Sequence, residues 1–270
     1  MPRCVPAARK RKRAERTRTF VLVSLISICL GAFVGVSYAS DLALAAEARR
    51  AFGDAMKRYE AEPRNDQAAW EFGRACFDRA EFATNSTERG EIADLGIAAC
   101  QQLIAREPKS APAHYYLALN LGQLAQTKGL AALKIVDQME REFSLVRDLD
   151  HRFDYAGADR GLGLLYRNAP PIASIGSRSK ARYHLQSARE LAPDYPENGL
   201  NLIEADLKWS DRNGARRELK ALEESWASAR KTLTGEKWVS SWIDWEKRLK
   251  QVKKKVEEPS NALEAPRNKE

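Results

Sequence analysis

Three histidines, four cysteines and one run of closely spaced glycines are the residues of this 270-residue chain best suited to catalysis or ligation. His114, His151 and His184 stand far apart, and none has a carboxylate or cysteine at metal-ligand or triad spacing. Gly157, Gly161 and Gly163 lie inside a helical pattern with no strand before them, which is the wrong setting for a phosphate-cradling loop. No acid–base pair and no metal constellation emerges. The sequence therefore implies a protein that is not an enzyme, with no catalytic residue, no metal and no cofactor.

Both ends of the chain depart from an ordinary soluble composition of 44% hydrophobic and 30% charged residues. ARKRKRAERTR precedes the apolar run Phe20–Val36, the layout of a secretory signal, and Ser37-Tyr38-Ala39 supplies small residues for cleavage after Ala39. The alternative is an uncleaved anchor, since 17 residues is the lower limit for a membrane span. Either route places the remainder outside the cytoplasmic membrane, in the periplasm, with inner-membrane attachment through residues 20–36 if the leader stays. Removing residues 1–39 takes eight of 45 basic and one of 37 acidic groups, so the net charge falls from +8 to +1. The high pI of about 9.3 is thus a targeting effect and not a nucleic-acid footprint. Cys76 and Cys100 remain. In an oxidising compartment they could pair, closing a loop with 23 residues between them for about 3 kcal/mol, or stay as small buried thiols.

These residues sit on helices. Asp41–Glu62 is amphipathic and ends at Pro63; Asn65 or Asp66 caps AAWEFGRACFDRA; an insertion rich in Thr, Ser and Asn leads to Ile92–Arg106, which ends at Pro108. Ser110 caps HYYLALNLGQLAQ, and Leu133 to Leu149 repeats apolar residues at steps of three and four. The stops Pro63, Pro108, His151 and Pro193 are separated by 45, 43 and 42 residues. Each is preceded by a matched triplet, for example Ala181, Leu185 and Ala188, and followed by a close-packing position: Gly73, Ala118, Gly161 and then the exception, Ile203. DRNGARRE, 211–218, reads as the turn of the last hairpin through Asn213-Gly214. EKWVSSWIDWEKRLKQVKKKVEE reads as a closing helix with Trp238, Trp242 and Trp245 on one face.

The pattern in KARYHLQSARELAPDYPENG resembles the second half of a tetratricopeptide (TPR) repeat, lengthened here by about eight to eleven residues in three of four units. The expected fold is all-α: residues 1–39 a signal peptide or anchor, 40–230 a TPR-like helical-hairpin solenoid, 231–258 a capping helix, and 259–270 a polar tail. The repeat resemblance implies a concave face at fixed first-helix positions. These give Trp70, Arg74 and Phe77; Tyr115 and Leu119; Tyr155, Leu162 and Leu165. That set is mostly apolar. It is either covered as core or it lines a pocket in which Arg74 meets an acid headgroup.

From about Leu130 to Leu222 the run MEREFSLVRDLDHRFDYAGADRGLGLLYRNAPP, the loop IGSRSKA and HLQSARELAPDYPENG resemble the T-component (TatT) family of TRAP transporter-associated proteins. That resemblance implies cryptic TPR hairpins around a central cavity and an exported accessory to a TRAP-type transport system. Its partner would be a periplasmic solute-binding protein, and its ligand an apolar or organic-acid molecule. The alternative is a generic TPR scaffold for cell-envelope proteins with no ligand. Neither reading involves nucleic acid, and the membrane enters only through the N-terminal segment if it is uncleaved.

Overall fold

The computed structural model describes residues 38–258, and within them ten α-helices and no strand. The leader Phe20–Val36 and the tail 259–270 lie outside the described residues. Helix α1 spans Tyr38–Ala61, and four hairpins follow. They are α2 (Asp66–Ala80) with α3 (Ser86–Arg106), and α4 (Ala111–Ala125) with α5 (Ala132–Leu149). Next come α6 (Phe153–Asn168) with α7 (Arg178–Leu191), then α8 (Pro196–Lys208) with α9 (Arg212–Thr232). Helix α10 (Val239–Glu257) closes the series after a single 3-10 turn at Glu236–Trp238.

The stop residues fix the register. Helices α1, α3, α5 and α7 end at Ala61, Arg106, Leu149 and Leu191, each two residues before Pro63, Pro108, His151 and Pro193. Proline ends a helix because its ring clashes with the preceding turn and it lacks an N–H. At His151 the extended backbone of Asp150 makes the stop instead. The first helices begin two or three residues after each stop, so the four units repeat in step. The extra length per unit goes mainly into the second helices, with 21 residues in α3, 18 in α5 and 21 in α9, and into the connection 169–177.

Packing follows the small residues. A Cβ on Gly73 would lie 2.5 Å from Cys100 Sγ, and one on Gly161 would lie 2.7 Å from the Phe143 ring. Each glycine therefore lets a larger partner seat directly on a helix backbone. Ile203 holds the fourth such position and is itself fully buried. Cys76 and Cys100 are both buried free thiols, so the disulfide weighed from the sequence is not formed, and Cys100 seats on Gly73 instead. Burial pushes the Cys100 thiol up to about 12, so it stays protonated.

Two starts differ from expectation. Residues 84–87 belong to a helix entry: Asn85 Oδ1 accepts from Glu88 N at 2.9 Å while the Glu88 carboxylate accepts from Thr84 N at 2.7 Å, a reciprocal cap. Asn213-Gly214 is not a turn but the first turn of α9. Asp211 accepts from Gly214 N at 2.9 Å, and the chain reverses at Ser210, whose φ is 61°. Capping chemistry outcompeted turn chemistry at both places. At the far end, Trp242 and Trp245 of α10 pack with Leu200, Ile203, Leu219 and Leu222. The apolar side of the last hairpin is thereby covered, as the end of a solenoid requires.

Candidate functional site

Helix α2 packs on α4, α4 on α6, α6 on α8, and α8 on α10, so the first helices of the hairpins form one continuous inner layer closed by α10. The eight inward positions expected to bind a ligand divide into three groups. Arg74 and Tyr155 are exposed. Trp70, Phe77, Leu119 and Leu165 are half-buried, Trp70 being stacked on Tyr116 with centroids 5.8 Å apart. Tyr115 and Leu162 are 3% and 1% exposed and belong to the central core with Phe143 and Val146. A ligand cannot reach those two, so they are not pocket walls. A Cβ on Gly157 would lie 2.5 Å from Tyr115 Oη and one on Gly161 2.7 Å from the Phe143 ring, so α4 and α5 both close onto α6 over these two residues.

What reaches the inner surface instead is charge. Arg74 Nε lies 3.7 Å from Asp78 Oδ2, both side chains about half exposed. Asp78 is half-buried. Desolvation is the main cause that raises its carboxyl to about 6, with Arg74 opposing and Glu81 and Asp154 adding to the rise. Glu81 and Asp244 are raised for the same leading reason, and each also feels Glu197. Asp78 of α2, Glu81 just past its end, Glu197 of α8 and Asp244 of α10 are thus near enough to feel one another's charge, with Glu81 and Asp244 exposed. The repeat offsets do name Glu197, as an inward position of the fourth unit, but they miss Asp78, Glu81 and Asp244, because they cover only one stripe of each first helix and say nothing of α10.

Near these groups lies a buried network. Arg160, 6% exposed, donates to Asp154 Oδ2 at 2.6 Å, to Tyr115 Oη at 3.0 Å, and to the carbonyls of Asp154 and Tyr155 at 3.1 and 3.2 Å. Asn198 donates to the Tyr155 carbonyl at 3.0 Å from the other side. These bonds hold Asp154, Tyr155 and Ala156 in left-handed conformation, with φ of 49°, 56° and 61°. Each such residue costs about 1–2 kcal/mol, so the surrounding bonds must over-determine it. The turn lifts Tyr155 out of the core, where it stacks on Tyr195 at 4.5 Å and meets Trp238 edge-on at 5.7 Å.

Two histidines do have carboxylate partners, on neighbouring helices that linear spacing could not pair. His114 Nδ1 lies 2.6 Å from Glu142 and its Nε2 3.0 Å from the Pro108 carbonyl. His184 Nδ1 lies 2.7 Å from the buried Asp159, which Arg147 also approaches at 3.4 Å. Both pairs tie hairpin helices together. A cavity of about 310 Å3 beside the second pair is lined by Arg147, His151, Asp159 and Ser187, and contains none of the eight expected positions.

The fold defines an all-α TPR-like solenoid whose inner layer of first helices presents exposed charged and aromatic side chains such as Arg74 and Tyr155. In agreement, the chain is similar to a solved thermophilic TPR protein of Thermus thermophilus, with a TM-score of 0.55 and 16% identity. The match covers 80% of this chain and 98% of that one. A family model described as regulator of microtubule dynamics protein 1-3 matches residues 38–137, from α1 into α5. No curated protein matches.

Proposed function

We propose that this protein is a non-catalytic scaffold that holds a segment of a partner protein in the groove walled by α2, α6, α8 and α10. The observation that carries this is Tyr155. It is 40% exposed on a turn whose left-handed backbone is held by Arg160 and Asn198, against Tyr195 and Trp238. A large ring kept in the open by a strained backbone is a contact surface in waiting, since strain of this kind persists where function uses it. Catalysis has no place in this reading.

The finer reading is an exported accessory of a TRAP-type transport system, docking a periplasmic solute-binding protein. It rests on the resemblance of residues 130–222 and on the basic-then-apolar leader. A ligand within that reading would meet Arg74 and Tyr155 in an open polar groove rather than an enclosed apolar cavity. Photo-crosslinking in cells tests the shared core of both readings. A photoreactive residue at Phe77, Glu81 or Tyr155 should give one discrete partner adduct, and one at Leu145 or Tyr183 on other exposed surfaces should not. Equal labelling from both sets would remove the groove as the docking site.

A further inference from the structure

The cavity of about 310 Å3 stands apart from the inner face, and its walls carry a chemistry of their own. Arg147 near the end of α5, His151 in the turn after it, Asp159 of α6, and Ser187, Glu190 and Leu191 of α7 line it. Two bridges tie α7 to the α5 side, one turn before Ser187 and one turn after it. Arg147 Nη2 donates to Tyr183 Oη at 3.0 Å, and Arg152 Nη1 donates to the Leu191 carbonyl at 3.0 Å. The space between these bridges is held open by them.

One wall is a carboxylate with an oxygen to spare. Asp159 is 1% exposed, and both of its partners meet the same atom: His184 Nδ1 lies 2.7 Å and Arg147 Nε 3.4 Å from Oδ1. Among the described residues Oδ2 accepts from no group, whereas buried polar atoms are normally bonded. Asp159 lines the cavity, so a donor arriving there finds that oxygen unused. Donors stand beside it. Arg147 Nη1, the His151 imidazole and the half-buried Ser187 hydroxyl make no hydrogen bond among the described residues. The exposed Glu190 adds a second acceptor, and Leu191 an apolar wall.

We propose that this cavity binds a small neutral α-amino acid as its zwitterion, with the ammonium on Asp159 Oδ2 and Glu190, the carboxylate on Arg147 and His151, and the side chain toward Leu191. A ligand with a single charge leaves one set of wall groups unanswered, whereas a zwitterion gives charge-assisted bonds to both. In an α-amino acid the two heads are joined through one carbon, which suits an Arg147 and an Asp159 that stand 3.4 Å apart. The volume is at the lower limit for small-molecule sites, so it suits a single residue better than a longer peptide.

Equilibrium dialysis of the full chain against radiolabelled L-alanine and L-leucine tests this, with the N-acetyl and amide derivatives of each as competitors. At least one of the two amino acids should bind with a Kd of about 1 mM or tighter. Each blocked derivative should compete about tenfold more weakly than the free amino acid, because blocking a head strands the wall group it should meet. Glu190→Gln and His151→Ala, both on exposed side chains, should each weaken binding severalfold with the helical circular dichroism unchanged. Asp159→Asn should abolish binding, and if that variant does not fold, the two exposed variants decide. Neither amino acid binding, a blocked derivative competing as well as the free one, or unchanged binding in both exposed variants overturns the proposal. None of these outcomes bears on the docking groove, which the crosslinking experiment decides separately.

Discussion

Two buried charge pairs govern how individual residues hold the fold. His114 is 5% exposed, and its pKa is raised chiefly by the hydrogen bond with Glu142, with the Pro108 carbonyl helping against desolvation. A histidine raised in the folded state contributes stability that is fully present below its unfolded value of about 6.5 and is lost as the pH climbs through the folded value. Glu142→Gln should therefore cost about 1–2 kcal/mol near pH 6, and denaturant melts should show that cost shrinking at alkaline pH. Arg160 behaves differently, because the guanidinium neutralises Asp154 and bonds the carbonyls of a left-handed turn. Arg160→Met leaves a carboxylate without its partner and should cost about 3–5 kcal/mol, while adding Asp154→Asn should recover a good part of it. A double variant as unstable as the single one would place the cost in the turn rather than in the charge. None of this was legible in the sequence. His114 and Glu142 are 28 residues apart, and nothing in Asp154-Tyr155-Ala156 announces a positive φ, since all three positions lack the glycine that usually marks one.

At the scale of elements, the sequence spoke most clearly through prolines and small residues. The stops at 63, 108, 151 and 193 predicted four helix ends to within two residues, because a chain terminator acts locally and needs no tertiary context. Close-packing glycines were legible for the same reason. Gly161→Ala should gain about 1 kcal/mol of helix propensity yet meet the Phe143 ring at 2.7 Å, a ring 2% exposed with no room to turn. Overpacking costs of about 1–3 kcal/mol should win, so thermal melts of Gly161→Ala should show a net loss, and a gain would mean that α5 and α6 can separate. Competing local signals defeated the sequence elsewhere. Asn213-Gly214 carries the residues of a turn, but Asp211 one step earlier offers a cap, and the cap won. Which apolar face becomes groove was also hidden. Tyr115 and Leu162 match the inward offsets as well as Tyr155 does, and only the seating of Tyr115 on Gly157 and of Phe143 on Gly161 separates core from surface.

The whole molecule is a short solenoid in which each hairpin leans on its neighbours, so its stability should be graded along the chain. Trp245 is 1% exposed and joins α10 to α8 and α9. Trp245→Ala should cost about 3–5 kcal/mol, and hydrogen exchange should rise in α8 and α9 while α2 and α3 keep their protection. Uniform loss of protection would instead indicate one indivisible cooperative unit. The proposed docking depends on the same curvature, because it needs residues from the first hairpin and from the closing helix to wall a common hollow. Asp78 reports on that arrangement. In the folded chain desolvation holds its carboxyl near 6, against an ordinary aspartate value near 4. A carbon-13 carboxyl NMR titration of the full chain should therefore find one aspartate with its midpoint near pH 6, and Asp78→Asn should remove that curve. If the curve removed by Asp78→Asn is instead one with an ordinary midpoint, α2 faces open water, the two ends of the solenoid do not wall a hollow, and the groove does not exist.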